Sequence, residues 1–131
     1  MKAVAVVAVL AVAGCATAPD SHMGALGQWG GRHVGLTVTE AGGTLDYDCA
    51  AGTIDQPLVP ARNGHFVARG THTPDWGGPA RSGETLPAYA ASYSGSIVGD
   101  RMVLRVKVAT GVEIGPLTLR RGAEPTIFRC L

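Results

Sequence analysis

Residues 88–120 read AYAASYSGSIV-GD-RMVLRVKV-ATGV-EIGPLTLR, and this stretch decides the fold. Ala88 to Val98 and Arg101 to Val108 alternate large or apolar with small or polar residues, the period of a half-buried strand. Gly99-Asp100 between them is a two-residue turn with glycine first, as a type II′ hairpin prefers. That turn sets a register in which Ile97 meets Met102, Gly95 meets Leu104, Tyr93 meets Val106 and Ala91 meets Val108. Ser92, Ser94, Ser96, Arg105 and Lys107 then face the other side. A second turn, Ala109 to Val112, folds Glu113 to Arg120 back, with Leu104 against Leu117 and Met102 against Leu119. Pro116 lacks the amide a ladder needs and predicts a bulge or a locally unpaired edge.

Working outward, the same alternation recurs. Val34, Leu36 and Val38 share one face of a strand, and Leu45, Tyr47 and Cys49 share one face of the next, across Ala41-Gly42-Gly43. Pairing Val38 with Leu45 brings Leu36 to Tyr47 and Val34 to Cys49. Pro57 to Pro60 forms a further short strand, Asn63-Gly64 a turn, His65 to Thr73 a strand, and Thr126 to Leu131 the last strand after a turn over 121–125. Nineteen glycines and eight prolines in 131 residues demand turns rather than long helices. Eight strands in a meander can close and so remove exposed edges. The expected fold is all-β, a small antiparallel up-and-down β-barrel of about eight strands, with an open β-sandwich as the alternative. Its inner face, including Leu36, Val38, Leu45, Tyr47, Phe66, Tyr93, Leu104, Val106, Leu117 and Phe128 beside small Ala68, Ala91 and Gly95, carries no charge. Such a lining packs solid or encloses one small apolar ligand.

The N-terminus has its own logic. Met1-Lys2 is a short positive segment, Ala3 to Val12 is an unbroken run of Ala, Val and Leu, and Ala13-Gly14-Cys15 follows. Pro19 and Asp20 end the apolar stretch too early for a span of about 20 residues, so the layout is that of a signal peptide over 1–14. Val12-Ala13-Gly14-Cys15 resembles the bacterial lipobox, with an ordinary secretory signal and an incidental cysteine as the alternative. The resemblance implies cleavage before Cys15, lipidation of its thiol and attachment to the membrane through acyl chains. Ala16 after the cysteine, by the sorting pattern of Gram-negative lipoproteins, implies the outer membrane, with the domain facing the periplasm or exterior. Residues 15–26 read as a flexible tether and 27–131 as the barrel domain. With Cys15 lipidated, Cys49 and Cys130 form an even pair in an oxidising compartment, and a disulfide between them is the default over two separate thiols. Closing that loop would contribute about 4 kcal/mol in the chain-entropy model.

Charge excludes one class of partner. Eleven Lys and Arg face ten Asp and Glu, so the chain has no net field with which to recruit nucleic acid. Arg101, Arg105, Lys107 and Arg120 nonetheless fall on one outer sheet face as a basic strip, either plainly solvated or a contact for an anionic surface such as lipid headgroups. No Gly-x-Ser-x-Gly elbow surrounds Ser92, Ser94 or Ser96, no histidine is placed to activate them, and no glycine-rich loop opens a helix onto a phosphate. No catalytic residue and no cofactor is expected. His65 and His72 are seven apart and point to opposite faces of a strand, and His33 lies on a polar face. All read as solvated side chains rather than metal ligands. Asp46 and Asp48 near His33 are too few oxygens for calcium, so no metal site is expected.

Gly27-Gln28-Trp29, at the start of the first strand, resembles the Gly-x-Trp signature of the lipocalin superfamily, in which the Trp plugs the barrel floor under an Arg from near the last strand. The resemblance implies Trp29 and Arg129 in those roles. Tyr47-Asp48-Cys49 with the lipobox is similar to small lipoprotein barrels that inhibit lysozyme. The connection Thr73 to Pro87 spans about fifteen residues, long enough to suspect function. Its Trp76, with Tyr47, Tyr93, Phe66 and Phe128, makes the candidate set for a ligand or partner. Trp76 folding back to cap the barrel is the alternative for that residue. The functional expectation is a non-enzymatic envelope lipoprotein whose barrel binds a small apolar ligand or an envelope protein. The alternatives are an inhibitor of an envelope or host hydrolase such as lysozyme, and a purely structural role.

Overall fold

The computed structural model describes residues 24–75 and 86–128, together with 3–5 and 8. Eight antiparallel strands follow one another: β1 Gly27–Gly31, β2 Val34–Val38, β3 Gly43–Tyr47, β4 Ala50–Ile54, β5 His65–Pro74, β6 Tyr89–Val98, β7 Arg101–Val108 and β8 Glu113–Arg121. Each pairs with its successor, and β8 pairs with β1 through Trp29↔Arg121, Gly30↔Arg120 and Gly31↔Leu119, so the sheet closes into a barrel.

The β6–β7–β8 registers are those set by the turns: Tyr93↔Val106, Gly95↔Leu104 and Ile97↔Met102, then Leu104↔Leu117 and Met102↔Leu119. The ladder slips between Leu104 and Val106, where Gly115 and Pro116 are the surplus residues of a bulge on β8. The β2–β3 hairpin is displaced by two residues from the expected pairing, with Leu36↔Leu45 and Val34↔Tyr47. Gly43 joins the strand opposite Val38, and the turn instead closes between Thr39 and Gly42, whose amide and carbonyl groups bond reciprocally at 2.8 and 3.3 Å. A shift of two keeps every side chain on its face.

Two of the eight strands are not where alternation placed them. Pro57 to Pro60 is not a strand, since its two prolines remove ladder donors, while Ala50–Ile54 is. Cys49 is not the end of β3 either: Asp48-Cys49 is the β3–β4 turn, with Cys49 at φ +59°. Thr126 makes one isolated parallel bridge to Arg32, and the described part of the expected last strand is not in the sheet. The closing strand is β1, whose Gly-Gln-Trp-Gly-Gly sequence offers no alternation to read.

After β8 the chain runs back along the outside of β1 and β2. A Cβ on Gly30 would stand 2.1 Å from the Ala123 carbonyl, and one on Gly35 would stand 3.0 Å from Pro125, so bare backbone lets this return segment lie flat on the sheet. Phe128, expected inside, therefore stands outside and 55% exposed.

The barrel interior is filled. Tyr93, Met102, Leu104, Leu119 and Ala68 are 0% exposed, and Trp29, Leu45 and Val106 only 1%. A void able to hold a ligand would leave its lining open to a water-sized sphere even when sealed from bulk solvent, and these side chains are not. Large rings are accommodated by missing side chains: a Cβ on Gly52 would lie 2.2 Å from the Tyr93 hydroxyl. Gly52→Ala should therefore cost roughly 1–3 kcal/mol in urea unfolding. In a double-mutant cycle Tyr93→Phe, which removes the nearer clashing oxygen and leaves the Thr71 carbonyl at 2.9 Å, should make the combined cost smaller than the sum.

Candidate functional site

The turns fall at two ends. One end, here the floor, holds the start of β1, the β2–β3 and β6–β7 turns and the end of β8. The opposite rim holds the β1–β2 and β3–β4 turns, the β7–β8 turn and the 75–88 connection.

The floor is closed by Trp29. Its Nε1 donates to the Ala25 carbonyl at 2.9 Å, and the Arg121 guanidinium lies 4.3 Å above its ring. Arg121 also donates to the carbonyls of Leu26, at 2.9 Å, and Gly24. The cation over Trp29 is thus Arg121, at the end of the strand that pairs with β1. Arg129 lies outside the described residues. Ala25 is fully buried, so Gly24 to Leu26 belongs to the folded body rather than to a tether. Arg121→Gln is expected to lose about 1 kcal/mol, from a cation–π contact and two carbonyl bonds at a partly wet site. Arg121→Lys should recover only part of it, as read by urea midpoint.

The rim is built on two residues in the left-handed region, His33 at φ +71° and Cys49 at φ +59°. His33 Nδ1 meets the Asp48 carboxylate, joining the β1–β2 and β3–β4 turns. The other Asp48 oxygen accepts the Phe128 amide at 2.7 Å, and the Phe128 ring sits 5.3 Å from the His33 ring. His33 N donates to the Thr126 carbonyl at 2.7 Å, and Thr126 N donates to Gly31 at 3.1 Å. The return segment is thereby fastened to the rim beside Cys49. The Cys49 carbonyl accepts the Asp75 amide at 2.8 Å, which fixes the start of the long connection to the same turn. Cys49 is not a free thiol, and Cys15 and Cys130 lie outside the described residues. Between β3–β4, the end of β5 and the return segment lies a cleft bordered by Asp46, Tyr47, Ala51, Asp75, Leu86 and Ile127. It is acidic on its walls and apolar at its far edge.

Beneath the rim, inside the barrel, three polar rings meet. Tyr93 donates to the Thr71 carbonyl at 2.5 Å, Tyr47 stands with its ring 5.8 Å from that of His72, and among the described residues no group meets hydrogen-bond geometry with the Tyr47 hydroxyl or His72 Nδ1. Burial, with the neighbouring Tyr93, pushes the Tyr47 phenol far above its ordinary value, and burial also raises Tyr93. Both stay neutral hydroxyls. His72 is 7% exposed, not the solvated residue expected, and burial lowers its imidazole below the usual 6.5. Its inward position was legible: it shares parity with Phe66, Ala68 and Gly70, all buried on β5.

The candidate set is therefore split. Tyr47, Tyr93 and Phe66 are core, Phe128 is an exterior rim residue, and Trp76 lies outside the described residues. Among the described residues no three His, Cys, Asp or Glu side chains gather as a metal site. Sequence reasoning put Asp48 near His33 but did not read the ion pair between them, which depends on a left-handed residue, and it passed over Arg121, whose parity with Leu117 and Leu119 was available. No family model matches this chain, and no curated protein or solved structure matches it.

His72 fixes a pH dependence. Because its folded value is lowered, the unfolded chain takes the proton first, so stability is complete above pH 6.5 and falls as pH drops from there toward the lowered folded value. In urea titrations between pH 8 and 5, His72→Phe should lack this part of the acid loss, while an unchanged slope would contradict a buried neutral imidazole.

Proposed function

We propose that this chain is a non-enzymatic lipoprotein of the bacterial envelope, anchored through Cys15 to the outer membrane, whose barrel is a rigid scaffold offering its rim to a protein partner. The observation that carries this reading is the filled interior: with the lining at or near zero exposure, recognition has to take place on the outside. A small apolar ligand inside the barrel is correspondingly disfavoured. The rim supplies what a partner needs, namely a cleft fixed by hydrogen bonds among three separate segments, with Asp75, the residue before Trp76, bonded to the Cys49 turn at its edge. Its orientation also suits an anchored protein, since the chain from Cys15 enters at the floor beside Arg121, at the opposite end from the rim. A Cys49–Cys130 disulfide belongs to the same reading. It is supported by the Phe128 amide on Asp48, which brings the return segment to within two residues of Cys130 at the turn that holds Cys49.

The acidic walls of the cleft, Asp46 and Asp75, favour a second version of the partner, a basic hydrolase such as lysozyme held in an inhibitory complex. Affinity capture with the mature protein tests both, with added lysozyme as one arm. A stoichiometric partner is expected, weakened about thirty-fold by Trp76→Ala as for an aromatic anchor and also weakened by Asp46→Arg. Fatty acid bound one per barrel, or capture indifferent to both substitutions, would contradict the reading.

A further inference from the structure

A net charge of +1 conceals two faces of opposite sign. The half of the barrel from β2 to β4 carries Glu40, Asp46, Asp48 and Asp55 on its strands and turns. The outer face of β5 to β8 carries Arg69, Arg101, Arg105, Lys107 and Arg120, with Glu113 at one end and Asp100 at the other. Among the described residues none of these five cations has a carboxylate within ion-pair distance, since the sole pair is His33–Asp48.

The cations are not scattered over a flat sheet. The outward residues of β6 are Ser92, Ser94 and Ser96, short side chains on the central strand. β5 on one side presents His65, Val67 and Arg69, and β7 on the other presents Val103, Arg105 and Lys107. In register, Ser92 lies between Arg69 and Lys107, Ser94 between Val67 and Arg105, and Ser96 between His65 and Val103. The result is a trough along β6, about 10 Å between its flanking strands and about 14 Å from Ser92 to Ser96. Of three shallow grooves on this flank, one lies over β6, with Ser92, Arg69 and Lys107, and two reach from β6 across β7 toward β8, Ser94 with Arg105, Lys107 and Glu113 and Ser96 with Arg101, Arg120 and Asp100. The three hydroxyls are half-buried and form no hydrogen bond among the described residues, so donors and acceptors stand ready on the floor between Arg69 on one side and Arg105 and Lys107 on the other.

We propose that this trough binds an extended anionic polysaccharide, its carboxylate or phosphate groups held by the flanking cations and its hydroxyls by the serine row. A bilayer surface would rest on the crests and leave the serines unengaged. An α-helix with its side chains is 10–12 Å across, too wide to reach the floor. The trough has no Phe, Tyr or Trp on which nucleic-acid bases could stack. An extended, hydroxyl-rich, negatively charged chain meets both the depth and the chemistry. The site is on the side of the barrel and does not depend on the rim binding a protein.

Calorimetric titration of the full chain with polygalacturonate oligomers and with a phosphomannan tests this, the tighter probe naming the anion. Saturable binding that weakens with salt is expected for at least one. Arg105→Gln with Lys107→Gln should weaken it ten-fold or more, on the order of the loss of charged hydrogen bonds. Ser94→Val should weaken it about five-fold with the salt dependence unchanged, as for one neutral hydrogen bond, and Arg32→Gln on the far side should have no effect. All are outward positions, and unchanged melting checks the fold. The proposal is overturned by binding of neither probe, by equal binding of uncharged dextran, by equal binding of polyglutamate, or by indifference to Ser94→Val. Tighter binding to phosphatidylglycerol vesicles than to either polysaccharide also overturns it.

Discussion

Three residue pairs between β1 and β8 turn this chain from a curved sheet into a cylinder. Without them β1 and β8 would each present a row of unpaired amides and carbonyls, and the apolar face of the sheet would lie open to water. The seam is short, and it is made by residues chosen for closeness rather than bulk. Gly30 and Gly31 admit the backbones of the return segment and of β8, since a Cβ on either would stand 2.1 Å from a carbonyl oxygen. At the floor end Trp29 and Arg121, themselves a register pair, add a ring and a cation that hold the incoming chain at Gly24 to Leu26. Closure, floor and N-terminal attachment are thus one structure.

Because the cylinder closes around Trp29, Tyr47, Phe66 and Tyr93, its bore is taken up by its own side chains. Gly52 and Gly95 give way to those rings: a Cβ on Gly95 would lie 3.0 Å from the Phe66 ring. Interior positions are then spent on stability, and chemistry is displaced outward. Two exteriors differ in kind. The rim is an acidic cleft tied together by the hydrogen bonds of Asp48, His33 and Thr126, suited to a folded partner. The flank of β5 to β8 is a cationic trough with a hydroxyl floor, suited to a linear one.

Much of the barrel was legible because the β6–β7–β8 stretch couples strict alternation to a two-residue turn, and such a turn fixes the register of everything attached to it. β1, Gly-Gln-Trp-Gly-Gly, was legible only as the start of the first strand and not as a strand separate from β2, and β4, Ala-Ala-Gly-Thr-Ile, was not legible, because small residues carry no alternation signal. Sequence reasoning placed Thr126 onward in the sheet because Ile127 and Phe128 look like strand residues, whereas they pack outside it. Seven consecutive hairpins plus a seam made the count eight by a different route. Of the sites, Trp29 was singled out by Gly-x-Trp but Arg121, which lies over its ring, was not, and Arg129 lies outside the described residues. The basic strip was legible from parity on β7 and β8. That it flanks a lowered row of serines, and gains Arg69 from β5, required the β5–β6 register, which no short turn announces.

The cylinder is closed only if β1 and β8 are hydrogen-bonded neighbours around a filled interior, and cross-strand nuclear Overhauser effects in the isotopically labelled protein read that pairing. Contacts are expected between Gly30 and Arg120 and between Gly31 and Leu119, together with slow hydrogen exchange along the seam. Their absence, with the β1–β2 and β7–β8 contacts intact and β1 amides exchanging freely, would mean an open sheet and would contradict closure.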